Sequence, residues 1–253
     1  MEPKIRILDL WKSFGEKRVL AGVNLDIPEG TSMVIMGGSG VGKSVLIKHV
    51  IGLMAPDDGD VIVDGESITG LSDNELNRVR RKFGMSFQEG ALFDSMTVFE
   101  NVAFPLRRHT HMPQAEIAER VDECLNIVNL HGIDDRYPAE LSGGMRRRVG
   151  FARAISLEPE ILLFDEPTTG LDPVMTAVIS HTIRRLTLKS NITSITITHD
   201  LEAARVIGDT VSMLYDGKII LSTSPEEFMK SQDPVVQQFV TASLEGPLTE
   251  ERI

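Results

Sequence analysis

Met33-Val34-Ile35-Met36 runs without a break into Gly37-Gly38-Ser39-Gly40-Val41-Gly42-Lys43-Ser44, and a helical pattern follows over residues 45–53. This order of strand, glycine loop and helix constrains the fold more than any other feature. Four successive apolar residues suit a strand covered on both faces. The next eight match Gly-x-x-x-x-Gly-Lys-Ser. In that pattern glycines let backbone N–H groups turn inward around phosphate oxygens, and the helix N-terminus adds its dipole. Lys43 is expected to reach the β- and γ-phosphates of a nucleotide, and the Ser44 hydroxyl to ligate Mg2+. The loop alone does not separate kinases, GTPases and transport ATPases.

Ile161-Leu162-Leu163-Phe164-Asp165-Glu166 repeats the logic, an apolar strand delivering two carboxylates at its carboxyl end, where parallel sheets place their ligands. Asp165 suits Mg2+, through water, and Glu166 suits orienting or deprotonating a water for in-line attack on a phosphate. Gln88 and His199 also end apolar stretches. Gln88 is a candidate to touch the metal or the attacking water, and His199 to donate to the γ-phosphate. From the residues alone a structural or surface role stays open for both.

The rest of the chain supplies an α/β frame. Residues 5–10, 19–23, 25–27 and 60–64 read as short strands, separated by turns at 14–17 and 28–30. Ser72 and Glu75 form a helix-start signature, with Leu71 and Leu76 placed for a staple. Residues 83–87 are a further strand. Residues 90–155 read as mainly helical, and within 114–128 Ala118, Val121, Leu125 and Val128 share one face. Strands recur at 161–164, 194–198, 211–214 and 218–221, and helices start at Pro173, Pro225 and Pro234. Beyond residue 241 apolar content is low, which suits either a frayed terminus or an extension packed on a partner.

Composition narrows the classes. The formal net charge of −11 disfavours non-specific nucleic-acid binding, which uses basic surface to displace phosphate counterions. One cysteine, Cys124, allows neither an intrachain disulfide nor a cysteine-rich metal site, and it falls on the apolar side of a helical pattern. Residues 1–4 carry no leader-like apolar run, and no stretch approaches the roughly 18 apolar residues of a membrane span. The expected compartment is the cytosol.

Leu141-Ser142-Gly143-Gly144-Met145, shortly before the carboxylate strand, brings these features into one pattern. With the loop at 37–44, Gln88, Asp165-Glu166 and His199 in this order, the chain resembles the nucleotide-binding subunits of ABC transporters over residues 5–240. The resemblance implies an α/β P-loop NTPase with a mostly parallel core sheet, an N-terminal antiparallel β subdomain and a helical subdomain inserted at about 90–155. It implies one domain over 1–240, a tail at 241–253 that contacts another subunit, and hydrolysis of ATP with Mg2+. Gln88 becomes the glutamine loop, a Mg2+ ligand and catalytic, and His199 the switch histidine. Two copies are expected to pair head to tail, so that Ser142, Gly143 and Gly144 of one meet the nucleotide held by Gly37–Ser44 of the other. Asp172 falls in the interface loop and is also placed to cap the helix at Pro173. Phe14 stands where the family puts an aromatic under adenine, with core packing as the competing account.

The family's signature usually ends in glutamine, whereas Met145 stands here, followed by Arg146-Arg147-Arg148. That form, with residues 37–46 and 87–95, is similar to the ATPases of the bacterial Mla phospholipid transport system. This implies an integral membrane permease dimer above the ATPase pair, a small cytosolic STAS-fold subunit, an indirect periplasmic lipid-binding component, and a place on the cytoplasmic face of the bacterial inner membrane. The alternatives are an ATPase importing a small solute such as an amino acid, and a soluble ABC ATPase.

Overall fold

The computed structural model describes residues 2–87 and 90–250. Two sheets organise it. The first is antiparallel, with β1 (Ile5–Phe14), β2 (Lys17–Ile27), β4 (Asp58–Val63) and β5 (Glu66–Ser67) in the order β2-β1-β4-β5. The second contains β3 (Ser32–Met36), β6 (Phe83–Ser86), β7 (Ile161–Asp165), β8 (Thr193–Ile197), β9 (Thr210–Tyr215) and β10 (Lys218–Thr223), in the order β10-β9-β3-β8-β7-β6. Its pairings are parallel except the β9–β10 hairpin.

Period-two alternation explains why the core strands read as unbroken apolar runs. Val34 and Met36 of β3 face one hydrophobic cluster, while Met33 and Ile35 face the other. In β7, Leu162 and Phe164 join the first cluster, and Ile161 and Leu163 the second. The sheet is therefore covered on both sides, by the antiparallel sheet and α1 (Lys43–Val50) on one and by helices on the other.

Asn24 does not break the second strand, contrary to the separate strands expected at 19–23 and 25–27. Its side-chain oxygen accepts the Asp9 amide at 3.0 Å, where a shift of register interrupts the β1–β2 ladder. The side chain serves a bulge in the neighbouring strand, so the backbone of β2 continues through it.

After α2 (Asp73–Arg80) and β6, the chain runs through α3 (Val98–His109), α4 (Gln114–Ile127), a short turn of 3-10 helix at Pro138–Glu140 and α5 (Gly143–Ile155) before returning at β7. In α4 the buried face is Ile117, Val121, Cys124 and Leu125, continued by Val128. Ala118, expected on that face, is exposed. Ile117 lies one turn before Val121 and has the larger apolar area to bury, so the helix settles with that side inward. Burial pushes the Cys124 thiol up to about 11, which keeps it protonated and inert.

The remaining helices are α6 (Pro173–Ser190), α7 (Leu201–Ile207), α8 (Pro225–Met229), α9 (Pro234–Thr241) and α10 (Pro247–Glu250). The described part of the C-terminal segment folds back on its own chain. The Gln238 amide, on α9, donates to Ser243 O and Thr249 Oγ1 at 3.2 Å each, and its oxygen accepts the Leu248 amide at 2.7 Å. Among the described residues no helix is long and apolar enough to cross a membrane.

α5 presses directly on the core at β6. A Cβ built on Gly84 would lie 2.2 Å from the Ala154 carbonyl oxygen, a backbone atom that cannot swing aside, and 2.9 Å from side-chain carbons of both Leu162 and Pro159. Gly84→Ala is expected to cost about 1–3 kcal/mol, as overpacking does. Denaturant unfolding would read this as a lower midpoint with an unchanged m value, and a wild-type midpoint would refute the contact.

Candidate functional site

Strand order creates the site. β8 lies between β3 and β7, and all three run parallel. The loop after β3, the carboxylates ending β7 and the histidine after β8 therefore emerge side by side at one edge. They border an open cleft of about 900 Å³ lined by Gly38, Ser39, Gly40, Gly42, Lys43, Ser44, Glu166 and His199, with Phe14, Lys17, Val19, Val45, Thr169 and Phe239 around them.

The glycine loop takes its shape from close packing. Gly42 sits at φ 107° just before α1, and a Cβ there would meet Val19 Cγ1 at 2.8 Å, so both conformation and space require glycine. Val41 packs against the core cluster rather than lining the cleft. Lys43, only 7% exposed, donates to Gly37 O at 2.8 Å and Gly38 O at 2.9 Å, and lies 3.6 Å from Glu166 Oε1. Burial draws the Lys43 ammonium below its usual range, against the opposing pull of Glu166 and Asp165.

Asp165 accepts the Ser44 hydroxyl at 3.2 Å. Burial pushes its carboxyl above the usual range, opposed by that hydrogen bond. Two hard oxygen ligands thus stand together, one a half-buried carboxylate whose charge is incompletely compensated, which is chemistry that fits Mg2+. Glu166 follows in the left-handed region at φ 50°, a costly conformation for a residue with a side chain. Its amide donates to Ile197 O at 2.9 Å. Its Oε2 accepts two hydrogen bonds, from Thr169 Oγ1 and from His199 Nδ1, each at 2.8 Å. Asp200, next to His199, caps α7 by accepting the Ala203 amide at 2.9 Å.

Other candidates lie apart. Ser142 and Gly143 are exposed at the start of α5, and neither they nor Gly144 line the cleft. Ser142 Oγ accepts the Met145 amide at 3.2 Å, and Gly144 is packed so closely on Met175 that a Cβ would lie 2.7 Å from its methyl carbon. Asp172 caps α6 through the Val174 and Met175 amides, both at 3.0 Å. Phe14 is 48% exposed beside the cleft, so core packing does not account for it. Gln88 lies outside the described residues.

A family model described as ABC transporter matches residues 20–169. The chain belongs to the ABC transporter family. It is an ATP-hydrolysing subunit of that family. Among its relatives, the probable ribonucleotide transport ATP-binding protein mkl of Mycobacterium leprae is 43% identical over 96% of this chain and 70% of that protein. The intermembrane phospholipid transport system ATP-binding protein MlaF of Haemophilus influenzae is 41% identical over 96% of this chain and 92% of that one. The chloroplastic protein Trigalactosyldiacylglycerol 3 of Arabidopsis thaliana is 40% identical over 96% of this chain and 75% of that one. The dimeric structure of MJ0796, a bacterial ABC transporter cassette, superposes with a TM-score of 0.81 at 34% identity, covering 87% of this chain and 98% of that chain.

Sequence reasoning missed two residues of this ABC ATPase site. Thr169 was legible as a hydroxyl three residues past Glu166 and before Gly170, a spacing that suits a turn closing on the carboxylate. Phe239 carried no such signal, because only the return of α9 over the fold brings it to the cleft.

The Asp165 environment makes a signed prediction. A folded value above the unfolded one means that the folded state holds the proton more tightly, so this group's contribution to stability falls as pH rises through the raised value. Asp165→Asn removes that burden. At pH 7 the nucleotide-free variant should melt above wild type. The gap should close as pH falls towards about 4, the unfolded aspartate range. Calorimetry across that window checks it, and a gap that widens on acidification would overturn it. Mg2+-dependent ATPase should fall in the same variant.

Proposed function

We propose that this ABC ATPase is the motor subunit of a phospholipid transporter, working as a head-to-tail pair beneath an integral membrane permease. The observation that carries the pairing is the separation of two phosphate-binding elements within one chain. Gly38–Gly40 and Gly42–Ser44 border the cleft, while Ser142–Gly144 open an exposed helix N-terminus away from it. A second copy in the reciprocal orientation places the one against the other, and the dimeric state of the related cassette supports pairing of two copies.

In this reading residues 37–44 bind the phosphates, Lys43 counters their charge and Phe14 lies against adenine. Ser44 and Asp165 would hold Mg2+, which would supply charge neutralisation for the phosphates, and Gln88 is proposed as a further ligand. Glu166 accepts the proton of the attacking water. Because Oε2 is occupied by Thr169 and His199, Oε1 is the oxygen turned to that task. His199 holds the carboxylate in place and faces the γ-phosphate. Asp172, at the head of α6, links the two sites across the interface. A STAS-fold subunit and a periplasmic lipid-binding component complete the assembly at the cytoplasmic face of the inner membrane. Residues 241–253 contribute a contact to a neighbouring subunit, for which Leu244, 87% exposed, offers an apolar group.

The lipid reading rests on the relatives. MlaF, named for phospholipid transport, matches over nearly its whole length, and a plant relative carries the name of a glycerolipid. Ribonucleotide transport is the second reading, favoured by mkl at 43% identity, although this chain spans a smaller share of that protein. Co-purification with the native permease separates them: bound glycerophospholipid by mass spectrometry is expected, and bound ribonucleotide in the permease with no lipid would replace this proposal.

The composite site has its own test. Ser142→Arg should reduce turnover by at least about 100-fold, the scale of losing one transition-state contact, while each chain still binds ATP. Lys43→Ala should weaken binding itself. Turnover at the wild-type rate in Ser142→Arg would rule out the reciprocal arrangement.

A further inference from the structure

Three consecutive arginines follow the serine–glycine segment. Successive positions on a helix point about 100° apart, so they cannot share a task. Arg146 Nη1 donates to Leu141 O at 2.7 Å, just before its own helix. Arg148 Nη1 reaches Asn129 O at 3.0 Å, beyond the end of α4. Arg147 turns inward instead. It is 8% exposed, and its Nη2 donates to the carbonyl oxygen of Thr169.

Thr169 is the residue whose hydroxyl donates to Glu166 Oε2. The turn joining them holds itself weakly: the Thr169 amide reaches Glu166 O only at 3.4 Å, and Leu171 N reaches Thr168 O at 3.2 Å. It also begins with Glu166 in its left-handed conformation and ends at Gly170 with φ 73°. A contact from outside such a turn helps keep the hydroxyl aimed. A buried guanidinium is a costly anchor unless its donors find acceptors, and the Thr169 carbonyl is one.

We propose that Arg147 is a positioning residue for ATP hydrolysis, holding Thr169 and, through its hydroxyl, the Glu166 carboxylate. This rests on the reading of Glu166 as the group that takes the water's proton. It also gives α5 two ends of action. Ser142–Gly144 open the helix towards the partner's nucleotide, and five residues beyond Ser142 Arg147 reaches Thr169, which lines this chain's own cleft. A shift of α5 against the core sheet then reorients Glu166.

The experiment uses the full chain with its permease and compares Arg147→Met, Arg147→Lys, Thr169→Val and the Arg147→Met/Thr169→Val double variant. Arg147→Met should lower kcat by about tenfold while KM for ATP and ATP binding stay within about twofold of wild type, the mark of an interaction used in the transition state. Arg147→Lys should recover part of the loss, since an ammonium can also donate to the carbonyl. The double variant should be no slower than the slower single one, because both changes break one chain of contacts. An unchanged kcat, losses that multiply, or a kcat loss matched by weakened ATP binding and a lower Tm would each overturn the proposal. Glu166→Gln run in parallel distinguishes the two failures. Hydrolysis surviving in Glu166→Gln would remove the underlying reading, whereas a dead Glu166→Gln beside a wild-type Arg147→Met would remove only the arginine's role.

Discussion

Parallel pairing of β8 between β3 and β7 is the constraint on which the rest of the molecule depends. Each of these strands ends in a residue or loop with chemistry, and none of those groups is near another in sequence. Lys43 and Glu166 come within 3.6 Å only because one strand separates their parent strands in the sheet. The same pairing requires the strands to be apolar on both faces, which is why the two hydrophobic clusters share alternate residues of β3 and β7.

On that frame the site holds charge in a partly dry setting. Burial lowers the Lys43 ammonium and raises the Asp165 carboxyl, so each group is displaced towards its neutral form. Ligands that bring phosphate charge and a divalent cation would relieve both at once. Glu166 is treated differently: its backbone is strained and its carboxylate is tied by a hydroxyl and an imidazole. Rigid placement of one oxygen pair, rather than proximity alone, is what the local structure supplies.

Much of this was legible in the residues. The strand–loop–helix order around 33–53 and the strand ending in Asp165-Glu166 are local signals, and local backbone chemistry decides them. The cap at Asp172 was readable for the same reason, since its side chain binds amides two and three residues on. The misplacements were of another kind. The spacing points to Ala118 on the buried face of α4, whereas Ile117 takes that place, because a helix's rotation is set by what it packs against. The sequence divides 19–23 from 25–27 at Asn24, whereas β2 is continuous there, because the partner of Asn24 is the backbone of a different strand.

By itself the sequence determined the element types, the phosphate loop, the carboxylate pair and the family, since these rest on runs and spacings within a few turns of chain. Only tertiary structure decided which strands neighbour each other, and hence that Lys43, Glu166 and His199 meet. It alone showed that Phe239 borders the cleft and that Arg147 anchors Thr169. The physical reason is the same in each case: long-range contacts are chosen by how buried surfaces pack, and no local pattern encodes the partner.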